Sequence, residues 1–110
     1  MEFNLAEKLA IIKAMDEVIH VDGTVYTSEL KISNQLMRML KFDKKLLEDA
    51  REVDSKEALL ILGAMNASKK KSLALILGKV ANADGKVHDK EINLILNIFE
   101  SVGIKCEYRF

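Results

Sequence analysis

Residues Ala83-Asp84-Gly85-Lys86-Val87-His88-Asp89-Lys90-Glu91-Ile92 and the earlier stretch Val21-Asp22-Gly23-Thr24-Val25-Tyr26-Thr27-Ser28-Glu29-Leu30 share one pattern. Both read Asp-Gly-x-Val-x-x-x-Glu-aliphatic, and both lie between long segments of helical period. The copies stand 62 positions apart, and the same offset pairs Val18 with Val80, Leu36 with Ile98, Met37 with Phe99 and Leu40 with Val102. The pattern implies one helix–turn–helix unit used twice. The expected fold is an all-α, single-domain bundle of about six helices with an internal duplication, spanning residues 4–104 and followed by a tail, 105–110.

Working outward, Asn4 with Glu7 has the spacing of a capping box and opens a first helix to about Val21. Gly23 is suited to the left-handed conformation that stops it. A second helix, Thr27 to about Leu40, offers Ile32, Leu36, Met39 and Leu40 to the core. Asp43 caps a short helix, Lys44 to about Arg51. Asp54 with Glu57 opens a fourth, Ser55 to about Met65, which is apolar nearly all round. Ser68 is the expected cap of a fifth helix, Lys69 to Ala83. Its run Leu73-Ala74-Leu75-Ile76-Leu77 is apolar on every side, whereas the matching part of the first helix carries Lys13 and Asp16. That contrast makes the fifth helix the expected centre of the bundle. A sixth runs from about Asp89 to Val102 and ends at Gly103.

Composition sets limits on function. The chain has 110 residues, 49% apolar and 31% charged, enough for one core without disulfides or a structural metal. Seventeen basic and seventeen acidic residues cancel, so there is no global attraction for nucleic acid or for an anionic membrane. One cysteine, Cys106, makes no disulfide framework and suits a reducing cytoplasm. Acidic residues at Glu2, Glu7 and Asp16 do not fit a signal peptide, and no apolar run approaches the ~20 residues that span a bilayer. The expectation is a cytoplasmic protein without direct membrane insertion.

The twin turn carries the sharpest chemistry. A purely structural reading accounts for Gly23 and Gly85 as helix stops, Val25 and Val87 as core contacts, and Glu29 and Glu91 near helix N-termini. It does not require Asp22 and Asp84, which follow helix C-termini, where a negative charge costs ~0.3–1 kcal/mol each. Two such placements point to a cation or to hydrogen bonds from the next turn. Hard oxygen ligands of this kind favour Ca2+ or another divalent cation, with Asp22, Glu29, Asp84 and Glu91 as the candidate ligands. An ordinary EF-hand does not fit, because its leading aspartate is replaced by Val18 in one copy and Val80 in the other. His20, His88 and Cys106 lack zinc-ligand spacing, and no nucleophile–base constellation stands out, so an enzyme is not expected. Lys69-Lys70-Lys71 offers a place for a phosphate or an acidic partner, although a solvated face is the plainer reading. Met37, Met39 and Met65 read as core filler rather than an adaptable groove.

These residues carry a resemblance. Two helical units with Ala-Asp-Gly-x-Val-x-x-x-Glu, and a last helix running into Ser101-Val102-Gly103-Ile104, resemble the tellurite-resistance TerB-like family from about Asn4 to Ile104. The resemblance implies an all-α bundle with internal pseudo-symmetry, found in bacterial stress-response proteins and, as related domains, in membrane-anchored DnaJ-like co-chaperones. It also implies divalent-cation binding by acidic residues, which here are Asp22, Glu29, Asp84 and Glu91. Where the family usually has Ser or Thr three residues before the glutamate, this chain has Tyr26 and His88. The alternative function is a protein–protein interaction module in which the Asp-Gly turns are purely structural. The expected partner is another protein and not nucleic acid, with a homodimer left open.

Overall fold

The computed structural model describes residues 3–21, 23, 27–83 and 88–104, with the side chains of Thr27, Ser28 and Glu29 outside that description. Among these residues six helices follow in order: α1 Leu5–His20, α2 Thr27–Met39, α3 Lys44–Arg51, α4 Ser55–Gly63, α5 Ala67–Ala81 and α6 Asp89–Val102. None of the described residues is in a strand. The architecture is all-α. Gly85, Val25, Val87 and the tail 105–110 lie outside the described residues.

The helix starts follow from side-chain oxygens that accept otherwise unpaired N–H groups. Asn4 accepts from the Glu7 amide, and Glu7 accepts from the Asn4 amide in return, completing the capping box. Asp43 and Asp54 accept from the amides of Leu46 and Glu57. The start of α5 differs from the sequence expectation. Its cap is Asn66, whose Oδ1 accepts from the Lys69 amide at 2.8 Å, and Ser68 lies inside the first turn. Asparagine ranks with serine as an N-cap, so the two candidates compete on equal terms by residue type alone. At the other end α5 stops at Ala81, where Asn82 donates through Nδ2 to the Gly78 carbonyl and closes the last turn.

Two helix ends share one device. After α6 the Ile104 amide donates to Phe99 and the Gly103 amide to Glu100, with Gly103 at φ 78°. After α2 the Phe42 amide donates to Met37 and the Lys41 amide to Arg38, with Lys41 at φ 57°. Both are Schellman closures, in which the chain turns left-handed for one residue so that two orphan carbonyls are satisfied. Glycine takes that conformation at no steric cost, whereas lysine carries a Cβ penalty of ~1–2 kcal/mol. The burial of Phe42 and Ile104 just beyond the turn secures each closure. Gly23, at φ 79°, stands where the sequence places a left-handed stop after α1.

Packing places α1, not α5, at the centre. α1 lies against α3, α4, α5 and α6, whereas α5 meets α1, α2 and α6. The polar residues of α1 that marked an outer face in the sequence are engaged by α3. Lys13 Nζ donates to the Arg51 carbonyl at 3.1 Å, a cation set at the carbonyl end of α3. Asp16 accepts from Arg51 Nη2 at 3.1 Å and Nε at 3.3 Å. Around them Ala10, Ile11, Ile12, Ala14, Met15, Val18 and Ile19 are buried, each large side chain contributing about 1.5–3 kcal/mol. α5 keeps a solvent side through Leu75, which is 54% exposed. α4 likewise presents Leu60, 75% exposed, and α2 presents Met39, 67% exposed; neither residue is in the core as its apolar surroundings in the sequence imply.

The N-terminal ends of α1 and α5 are joined by Lys69 Nζ and Glu7 Oε1 at 2.8 Å, both largely buried. The Lys69 hydrogen bond, followed by the Asn4 amide, outweighs burial and holds the Glu7 carboxyl below its ordinary value of 4.5. A depressed carboxyl stabilises the fold above the unfolded value, and that contribution is lost as pH falls through the folded one.

Two outcomes are expected. Lys41→Gly raises stability by about 1 kcal/mol in thermal or urea unfolding, because the left-handed residue loses its Cβ penalty; an unchanged or lower midpoint sinks that account. Glu7→Gln lowers stability near neutral pH, and the gap to the wild-type protein narrows as pH drops below about 4.5. A gap that stays constant across that range means the carboxylate charge is not what holds the two helix ends together.

Candidate functional site

The four acids of the twin turn are placed unequally. Asp22 and Asp84 lie outside the described residues, as does the side chain of Glu29, whose backbone belongs to the first turn of α2. Glu91 sits in the first turn of α6, where a carboxylate meets a favourable dipole, and is 0% exposed. Among the described residues no three of His, Cys, Asp and Glu come together as a metal cluster. Val18 and Val80, the positions an EF-hand would give to its leading aspartate, are fully buried in the core. A carboxylate at either position would have to enter an apolar interior.

The other candidates are dispersed. His20 donates through Nδ1 to the Asp16 carbonyl, one turn back on α1, at 2.8 Å, and this ties it to its own helix. His88 is the residue preceding α6, and Cys106 lies outside the described residues. The three lysines at the head of α5 point different ways. Lys69 pairs with Glu7, Lys70 Nζ approaches Gly103 at the end of α6, and Lys71 is exposed. They do not form one anion cradle.

Two concave surfaces were not read from the sequence. The first, a cavity of about 150 Å³, lies where α1, α2 and α3 diverge. Ile12, Met15 and Phe42 form its apolar wall, and Asp16, His20 and Arg51 stand at it as polar groups. The second is a groove of about 260 Å³ between α2 and α5, closed at one side by Phe3. Leu36 and Ile76 are its buried floor, and Met39 and Leu75 its exposed rims. The three methionines thus divide: Met65 is core, Met37 lines the first cavity and Met39 the second. A signal for the groove was present in the chain. Lys71, Leu75 and Lys79 recur at a spacing of four, which puts a leucine on a helix face that carries lysines one turn away on either side.

No described helix is long and apolar enough to cross a membrane. Comparison with curated proteins gives no match. Among solved structures, the crystal structure of a protein of unknown function from Porphyromonas gingivalis W83 superposes with a TM-score of 0.82 at 24% identity. The alignment covers 96% of this chain and 89% of that one, so the likeness in fold runs through the whole bundle. The family model described as tellurite resistance protein TerB matches residues 8–109. That match takes in α1 from Lys8 onward, α2 to α6 and both Asp-Gly sequences, and the chain belongs to the TerB family.

Proposed function

We propose that this chain is a non-catalytic domain of the bacterial tellurite-stress response, acting in the cytoplasm by holding another protein. The observation that supports a holding role is the pair of open apolar hollows, one between α1, α2 and α3 and one between α2 and α5. Large apolar side chains left at the surface beside a concavity are a feature of interaction sites rather than of a free-standing scaffold. The family match supports the tellurite-stress setting. The twin Asp-Gly turns are then helix stops, and Glu91 belongs to the packing of the α6 N-terminus.

A second reading keeps a divalent cation, calcium first, on Asp22, Glu29, Asp84 and Glu91. It is favoured by the end of α1, which stops at His20 with Val21 as its last capping residue. Asp22 follows directly in sequence, and a cation bound at a helix C-terminus offsets the unfavourable dipole there. The two readings are compatible, since a cation that stiffens the turns would also orient α2.

Expression of the chain should restore growth on tellurite to a bacterial host from which its own TerB-family protein has been deleted. Failure at normal expression levels would remove the stress-response reading. For the cation, calcium titration of metal-stripped protein should give saturable amide shifts at Gly23 and its neighbours, lost in Asp22→Asn with Asp84→Asn. No saturable shift with millimolar calcium, magnesium or manganese ends that reading.

A further inference from the structure

We infer that the α2–α5 groove is the docking site for a partner protein, and that the partner presents an acidic amphipathic segment. The inference deepens the proposed holding role and rests on it. Shape supplies the first argument. Phe3, Leu36 and Ile76 are nearly buried and form an apolar floor, while Met39 and Leu75 stand 67% and 54% exposed on opposite helices. A groove of about 260 Å³, open to solvent, takes a few apolar side chains of an amphipathic segment laid along it. It is smaller and less enclosed than the sites that bury a small-molecule ligand. Met39 adds an unbranched thioether that adapts to the side chain it meets.

Charge supplies the second. Among the described residues Lys79 lines the groove, and no acidic residue does. Lys71 is exposed one turn before Leu75 on the same face of α5. Among the described residues neither lysine is in an ion pair. This local basic rim stands out on a chain whose formal net charge is zero. An apolar floor with cations along the rim complements a segment with leucines or methionines on one face and carboxylates beside them. Like charges would be rejected at the same rim. The concave form separates this surface from a membrane-binding one, which inserts protruding apolar side chains below a ring of lysines.

The test uses the full chain and a synthetic helical peptide of about eighteen residues, leucines on one face and glutamates on both flanks. Saturable amide shifts confined to residues 36–40 and 72–79 are expected. Lys71→Glu with Lys79→Glu should weaken the complex about tenfold or more. The matched peptide with lysines in place of glutamates should bind that variant better than it binds the wild-type chain. Leu75→Ser should also weaken binding; both changes are at exposed positions, and an unchanged melting curve confirms the fold. The inference is overturned by any of four results: absence of saturable shifts, shifts centred on the α1–α2–α3 cavity, equal binding of the two peptides, or tighter partition onto phosphatidylglycerol vesicles than onto the peptide. Concentration-dependent shifts of the groove amides without peptide would assign the surface to a second copy of this chain and overturn it as well. Tellurite complementation distinguishes the two levels. A double charge-reversal variant that complements as well as wild type overturns the groove and leaves the holding role standing. Wild-type failure to complement removes the stress-response reading, independently of where the peptide binds.

Discussion

Helix α1 has to be covered on nearly every side, and the arrangement of the other helices follows from that need. Seven of its side chains are buried besides Glu7, and they point around the helix rather than along one stripe. A single neighbour covers only one such stripe. α3, α4, α5 and α6 all pack against α1. Four polar residues of α1 are matched by a neighbour: Asp16 and Lys13 to the end of α3, Glu17 to Ser55 at the head of α4, Glu7 to Lys69 at the head of α5. These bonds add little individually at the surface. They act as registration marks, since each binds the terminus of a different helix to a defined turn of α1.

Where the helices lie was legible in the sequence, and the 62-residue offset carried more than the turn motif. Asn4 and Asn66 stand at that spacing and both cap helices, each accepting from the amide three residues on. His20 and Asn82 stand at it too, and both bond the carbonyl four residues back. Lys41 and Gly103 occupy the same left-handed slot. The offset therefore pointed to Asn66 as the α5 cap, against the attraction of Ser68. The Lys41 closure was hidden because lysine does not announce a left-handed residue, while Gly103 does. The centre of the bundle was misread for a different reason. Charge on Lys13 and Asp16 signals solvent when no partner is known, and the partner, Arg51, lies 35 positions from Asp16.

The candidate site was less legible than the fold. Asp22, Glu29, Asp84 and Glu91 form a pattern in one dimension, and of their carboxylates only that of Glu91 is described, inside the protein. The α2–α5 groove, in contrast, shows in the sequence only as the spacing of Lys71, Leu75 and Lys79. Met39 and Leu75 look like core residues because helical period records which side chains share a face, not how far away the facing helix stands. Two helices that diverge leave apolar side chains at the surface with the same spacing that buries them where helices close. Sequence period determines the faces, and packing across long separations determines which faces meet.

The helix on which α2 chiefly rests is α5, which the chain reaches only after passing through α3 and α4. A ribosome releases α1, α2, α3 and α4 before the surface that receives Leu36 exists. Helix α2 must therefore wait with its Leu36 side unmatched during synthesis, while Met37 and Leu40 pack on the smaller cluster that includes Ile12 of α1. Its own length, 13 residues, is marginal for an isolated helix. The left-handed closure at Lys41, with Phe42 tucked behind it, is a local stop that needs no distant helix to form. It fixes the end of α2 early, and so limits how far that segment can stray toward another nascent chain.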